Sequence, residues 1–122
     1  MQLILTEPVK GLSVDIKKRR IRISRKVFEK LNMPEYFRIL VNPNSKGLVL
    51  EGCAEAAKGA YQLSKVPAHK ASYELTSTSL MGELVQVAGF AGLDLVKLIG
   101  YPIAGQAALF FRMEIQTSER GA

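Results

Sequence analysis

Leu12, Val14 and Ile16 alternate with Ser13, Asp15 and Lys17, a period of two that predicts a half-buried strand opened by Gly11. After the charged step Lys17-Lys18-Arg19 the alternation resumes, with Ile21 and Ile23 inward and Arg20, Arg22 and Ser24 outward. Residues 12–24 therefore predict a β-hairpin with a basic tip and a basic outer stripe. From residue 25 to 31 the period changes. Val27, Phe28 and Leu31 share one face of a short helix, and Ser24 supplies an N-cap hydroxyl. Asn32 tolerates left-handed backbone and Pro34 forbids continuation, so the helix ends there. Residues 37–41 predict a strand, residues 42–47 a turn, and residues 48–50 the returning strand.

The same order recurs further along. Tyr73 and Leu75 alternate, the Ser/Thr run at 76–79 offers N-caps, and Leu80, Leu84 and Val87 have helical spacing up to Gly89 and Gly92. Residues 93–99 and 107–115 then predict a longer hairpin around Gly100-Tyr101-Pro102 and Gly105. Two strand-helix-strand-strand units result, at 20–50 and 72–115. Ile21 and Ile23 match Tyr73 and Leu75, Val27 and Leu31 match Leu80 and Leu84, and residues 37–43 match 96–102. Residues 2–6 predict a further strand ended by Glu7-Pro8. Residues 51–71, poor in large apolar side chains, read as a connector with a helical turn at 54–58 and an extended Val66-Pro67.

A chain of 122 residues is the size of one ordinary domain. The expected organisation is a single domain over 1–122. It comprises an N-terminal strand and basic unit over 1–50, the connector over 51–71, and a second unit over 72–116. The fold class is α+β and β-rich. No window holds the ~18 apolar residues of a membrane span, and the apolar start at residues 1–5 is too short for a signal-peptide core. Cys53 stands alone, which excludes an intramolecular disulfide and gives no sign of an oxidising compartment. The expectation is a cytoplasmic protein with no membrane partner.

Charge divides the two units. Residues 10–46 hold eleven Lys/Arg against Asp15, Glu29 and Glu35, a net +8, whereas residues 72–122 hold three basic residues against five acidic ones, a net −2. The cluster Lys17, Lys18, Arg19, Arg20, Arg22, Arg25 and Lys26 is the sharpest chemical feature. Such residues neutralise phosphates and release counterions, and a β-hairpin fits along a duplex groove. An edge strand guarded from aggregation by its charges carries the same residues.

Little else points to chemistry. His69 lies in the connector without a second histidine or an acid at ligand spacing, so no metal site is expected. There is no nucleophile elbow, phosphate loop or Cys/His cluster. Ser64, Ser77 and Ser79 read as turn or cap residues. The expectation is a non-enzyme without a cofactor. Phe110 and Phe111 place one ring on each face of a strand, and Tyr101, Phe110 and Phe111 serve either a core or an interface.

The first unit resembles the AbrB-type (SpoVT/AbrB, swapped-hairpin) domain. Arg20, the Ile21-Arg22-Ile23 triplet, Leu31 and Met33 stand where that family has its Arg, apolar run, helix Leu and following apolar residue. Two units in one chain resemble the tandem MraZ-like arrangement, whose Asp-x-Lys-Gly-Arg signature is approximated by Asp15-Ile16-Lys17 followed, one residue late, by Arg20. Ser24 replaces the family's proline, Asn32 its glycine, and Phe28 and Glu29 occupy helix positions that carry arginines in DNA-binding members. The resemblance implies two repeats interlocked in a small β-barrel. It also implies a DNA-binding transcriptional regulator that contacts double-stranded DNA through the basic hairpin and associates into a homo-oligomer. The departures, with the acidic second unit, point instead to a protein-interaction or structural module that keeps the barrel without binding DNA.

Overall fold

The computed structural model describes residues 8–42, 44, 46–88 and 95–112. They form strands β1 (Val9–Asp15), β2 (Arg20–Ser24), β3 (Tyr36–Asn42), β4 (Gly47–Gly52), β5 (Tyr61–Gln62), β6 (Ala68–His69), β7 (Ser72–Thr76), β8 (Leu95–Pro102) and β9 (Ala108–Arg112). Helix α1 (Arg25–Lys30) follows β2, α2 (Thr78–Ala88) follows β7, and a single 3-10 turn (Leu63–Lys65) separates β5 from β6. The expected strand at 2–6, the side chain of Val87, Gly89 and Gly92, residues 93–94 and residues 113–115 lie outside the described residues.

All nine strands belong to one antiparallel sheet in the order β5-β3-β4-β9-β8-β1-β2-β7-β6. A flat sheet of that width would hold its outermost strands about 38 Å apart at ~4.8 Å per strand. Yet those strands, β5 and β6, are joined by residues 63–67 alone, which reach about 20 Å when fully extended. The sheet therefore curls. Residues 61–69 touch both ends: Tyr61 and Gln62 pair with β3, Leu63 N–H donates to Glu35 O at 2.9 Å, Glu74 N–H donates to Pro67 O at 2.8 Å, and Ala68 and His69 pair with β7. What reads in the sequence as a plain connector is a bridge between the two ends. Residues 54–58 form turns rather than a helix, with Ala57 N–H on Ala54 O and Ala60 N–H on Ala57 O.

The curl encloses the core. Leu12 and Val14 of β1, Ile21 and Ile23 of β2, Phe37 of β3, Leu48 and Leu50 of β4, Leu98 of β8, and Leu109 and Phe111 of β9 are buried. Their alternation is the period of two read from the sequence. Helix α1 adds Val27 and Phe28 to this core, and the Phe28 ring packs edge-on to Phe37 at 4.9 Å and Tyr73 at 5.1 Å. Helix α2 adds Leu80, Met81 and Leu84 to the same core.

The local signals act as their chemistry requires. Ser24 is extended at φ −66° and its hydroxyl accepts from Lys26 N–H at 3.2 Å, which starts α1. Asn32 takes φ +62° after the helix, as expected. Ser77 is the residue of the Ser/Thr run whose hydroxyl accepts from Leu80 N–H, at 3.3 Å. Gly11 is the extra residue of a β-bulge between Lys10 and Leu12 against β8. Its φ of +138° and the 2.7 Å separation that any Cβ there would have from Ser24 Cβ restrict the position to glycine. One expectation is corrected. Gly100-Tyr101-Pro102 is not a turn but the end of β8, paired with Phe111, Phe110 and Leu109, and the chain reverses at residues 103–107. No helix among the described residues is long and apolar enough to cross a membrane.

Candidate nucleic-acid interface

The seven cations singled out by the sequence occupy two ends of one strand and the strand between them. Lys17, Lys18 and Arg19 form the exposed turn between β1 and β2; the turn is tied by Lys18 N–H on the Asp15 carboxylate at 3.0 Å and Arg19 N–H on Ile16 O at 3.3 Å. Arg19 takes φ +55°, which completes the reversal. Arg20 and Arg22 project outward from β2 because Ile21 and Ile23 project inward. Arg25 and Lys26 are exposed on the first turn of α1, at the far end of β2. Arg20 and Arg25 are thus separated by about 17 Å along an extended strand.

Register decides which of these charges meet carboxylates. Arg22 stands directly across from Glu74 of β7, and Arg20 across from Asp15 of β1 and Thr76 of β7. Arg22 Nη2 donates to Glu74 Oε2 at 2.7 Å, and Arg20 Nη1 to Glu74 Oε1 at 3.4 Å, while Arg20 Nε lies 3.7 Å from Asp15 Oδ2. Arg25 Nε donates to Glu29 Oε2 at 3.2 Å, four residues on along α1. Hydrogen bonding from Arg22 holds the Glu74 carboxyl below the usual glutamate value; partial burial opposes this and the nearby Arg20 charge reinforces it. Among the described residues, none of the ion pairs engages Lys17, Lys18, Arg19 or Lys26. The cluster is therefore split into an unpaired tip, a paired strand, and a helix end that carries one paired and one unpaired cation.

The Arg22–Glu74 and Arg25–Glu29 pairs each have a solvent-exposed partner, and the half-buried Arg20 pairs are long at 3.4 and 3.7 Å, so all contribute little to stability. They are correspondingly easy to exchange for another anion. Nine cations between Lys10 and Lys30 face three carboxylates, Asp15, Glu29 and Glu74, so the stretch from β1 to α1 keeps a positive balance. Sequence reasoning placed the cations and missed Glu74 as their partner, because that contact exists only once β2 and β7 are paired in register.

Among the described residues no other arrangement rivals this one. No group of three His, Cys, Asp or Glu side chains among the described residues is placed to hold a metal ion. Cys53 is half-buried, and burial pushes its thiol up, away from a reactive thiolate. His69 is exposed on β6. Phe111 is wholly buried and Phe110 lies against Gly47 on the outer face, so the two rings divide between the sheet's faces as the sequence predicts. Compared with protein-family models, curated protein sequences and solved structures, the chain matches none.

Proposed function

We propose that the protein is a small AbrB-like, double-stranded-DNA-binding regulator in which two strand-helix-strand-strand repeats interlock as a closed barrel. Pairing of β2 with β7 and of β4 with β9 supports the interlocked repeats, since each joins a strand of one unit to its counterpart in the other. Residues 61–69 lie between β7 and β3 as β1 lies between β2 and β8, which makes them the second unit's broken counterpart of β1. Matching buried positions sets Phe37, Leu48 and Leu50 on Leu98, Leu109 and Phe111, two residues along from the sequence match of Phe37 with Val96.

The observation that carries DNA binding is the tip, where three successive exposed cations project without a carboxylate partner. Lys17, Lys18 and Arg19 make the first phosphate contacts; Lys26 and Arg25 make a second set at the helix end. Arg20 and Arg22, held by Glu74 in the free protein, exchange that carboxylate for phosphate. These seven contacts give an affinity that falls by about 10³- to 10⁴-fold from 50 to 200 mM salt. Fluorescence polarisation of a labelled duplex across that range tests this reading. The variant Lys17→Ala/Lys18→Ala/Arg19→Ala should weaken binding and flatten the salt dependence; binding that ignores both salt and the tip rejects it.

The ion pairs of Arg20, Arg22 and Arg25 favour a second reading, a non-enzymatic interaction module that keeps the fold without DNA. It requires no duplex binding at low salt, together with a homo-oligomer or a co-purifying protein partner in light scattering and pull-down.

A further inference from the structure

The outer face of the curled sheet is chemically divided, and its second half has no role in the reading above. On β1, β2 and β7 the outward positions are polar: Ser13, Asp15, Arg20, Arg22 and Glu74. On β3, β4, β9 and β8 the cross-strand register instead sets Leu40 against Val49, Val49 against Phe110, and Phe110 against Tyr101. A single apolar row therefore crosses four strands. Leu40 is 41% exposed and Tyr101 47%, and Ile99, one outward position along β8, is 40% exposed. Scattered exposed apolar residues are ordinary, but a contiguous row in register is the mark of a surface that is covered by something.

Charge beside the row limits what covers it. The four strands contain one carboxylate, Glu51, and Arg38 already engages it at one flank. At the other flank Lys10 is the cross-strand partner of Ile99, Lys97 stands one outward position beyond Ile99, and Lys46 occupies the β3–β4 turn; all three are exposed. A two-fold contact about an axis along the strands would press these lysines toward their own equivalents, and one about an axis along the row would set them against Arg38 and a Glu51 already engaged by it, so charge disfavours self-association through this face. The surface calls for a partner that is apolar in the middle and acidic along one side.

Spacing specifies its form. Side chains in the row recur every ~4.8 Å, the strand separation, and the row is about 15 Å long. An α-helix laid across the strands presents an apolar side chain once per 5.4 Å turn, so about three turns match the row. We propose that the outer face of β3, β4, β9 and β8 is a docking site for an amphipathic helix of another protein, with apolar residues on Leu40, Val49, Phe110 and Tyr101 and carboxylates toward Lys10 and Lys97. This site is separate from the basic tip and stands whether or not the tip binds DNA.

The test is selection from a display library of helices of about fourteen residues, with leucine at i, i+3, i+7 and i+10 and the flanking positions drawn from Glu, Gln and Lys, against the full chain. Glutamate should be enriched along one flank. A selected peptide should bind at least about tenfold more weakly to Leu40→Ser/Tyr101→Ser and to Lys10→Glu/Lys97→Glu. It should bind unchanged to Lys17→Ala/Lys18→Ala/Arg19→Ala. The lysine variant leaves every apolar side chain in place, so it decides the matter even if the serine variant loses its fold. Absence of enrichment, enrichment of lysine, or binding lost only with the tip variant overturns the proposal. Light scattering that shows self-association abolished by Leu40→Ser/Tyr101→Ser overturns it in favour of a second copy.

Discussion

Arg22 of β2 and Glu74 of β7 are direct cross-strand partners, and the arginine donates to the carboxylate at 2.7 Å. Glu74 also receives Arg20, so one carboxylate holds the two cations of the strand. Any phosphate approaching β2 competes with this side chain. Glu74→Gln should therefore raise duplex affinity, because Arg20 and Arg22 then reach phosphate without first giving up a carboxylate. Polarisation titrations of the variant and the parent chain measure this; identical curves would show that Arg20 and Arg22 never reach DNA.

The same pair makes stability depend on acid. The Glu74 carboxyl is held below its ordinary value of 4.5, chiefly by the Arg22 hydrogen bond. The unfolded chain then takes up its proton at a higher pH than the folded one. Its contribution is present above about pH 4.5 and is lost as pH falls through the lower folded value. Denaturant midpoints measured from neutral pH to pH 3 should fall more steeply for the parent chain than for Glu74→Gln.

Two glycines make room for two neighbouring rings, and the rings differ in freedom. A Cβ at Gly100 would lie 2.5 Å from the Phe111 ring, which is wholly buried and has nowhere to move. A Cβ at Gly47 would overlap the Phe110 ring, which is only half-buried and can turn toward solvent. Gly100→Ala should cost about 2–3 kcal/mol and Gly47→Ala clearly less. Chemical denaturation of the two variants gives the order, and equal losses would contradict the packing described.

Helix α1 spans Arg25–Lys30 and rests on one cap and one aromatic anchor. Ser24→Ala removes the acceptor for Lys26 N–H and should cost about 1 kcal/mol. Phe28→Ala empties a site between Phe37 and Tyr73 and should cost about 3–5 kcal/mol. Thermal unfolding of both variants checks the ratio.

Cys53 supplies a chemical check on burial. With its thiol pushed up by burial, alkylation at neutral pH should be slower in the folded protein than in the unfolded chain. Timed labelling with and without denaturant reads the difference directly.

Local features of the fold were legible because local chemistry fixes them. The hairpin of β1 and β2, the Ser24 cap, the Asn32 stop and the β3–β4 return each depend on residues within a few positions. The pairings of β2 with β7 and β4 with β9 were not, since they join residues about fifty or more apart and no short-range signal specifies them. Gly100 and Pro102 read as a turn because both residues punctuate strands elsewhere; here glycine admits the Phe111 ring and proline sits at the strand's end. At the site, the cations were readable one by one. Which of them keep their charge free depended on where Glu74 falls, and that is a property of register.

Residues 61–69 carry one last implication. A single thread of chain, and not a full ladder, fastens the two borders of the sheet to each other. Cleavage at the exposed Lys65 would part the two borders, leaving each able to recruit the border of another molecule. A cut confined to this thread is then a route to polymerisation.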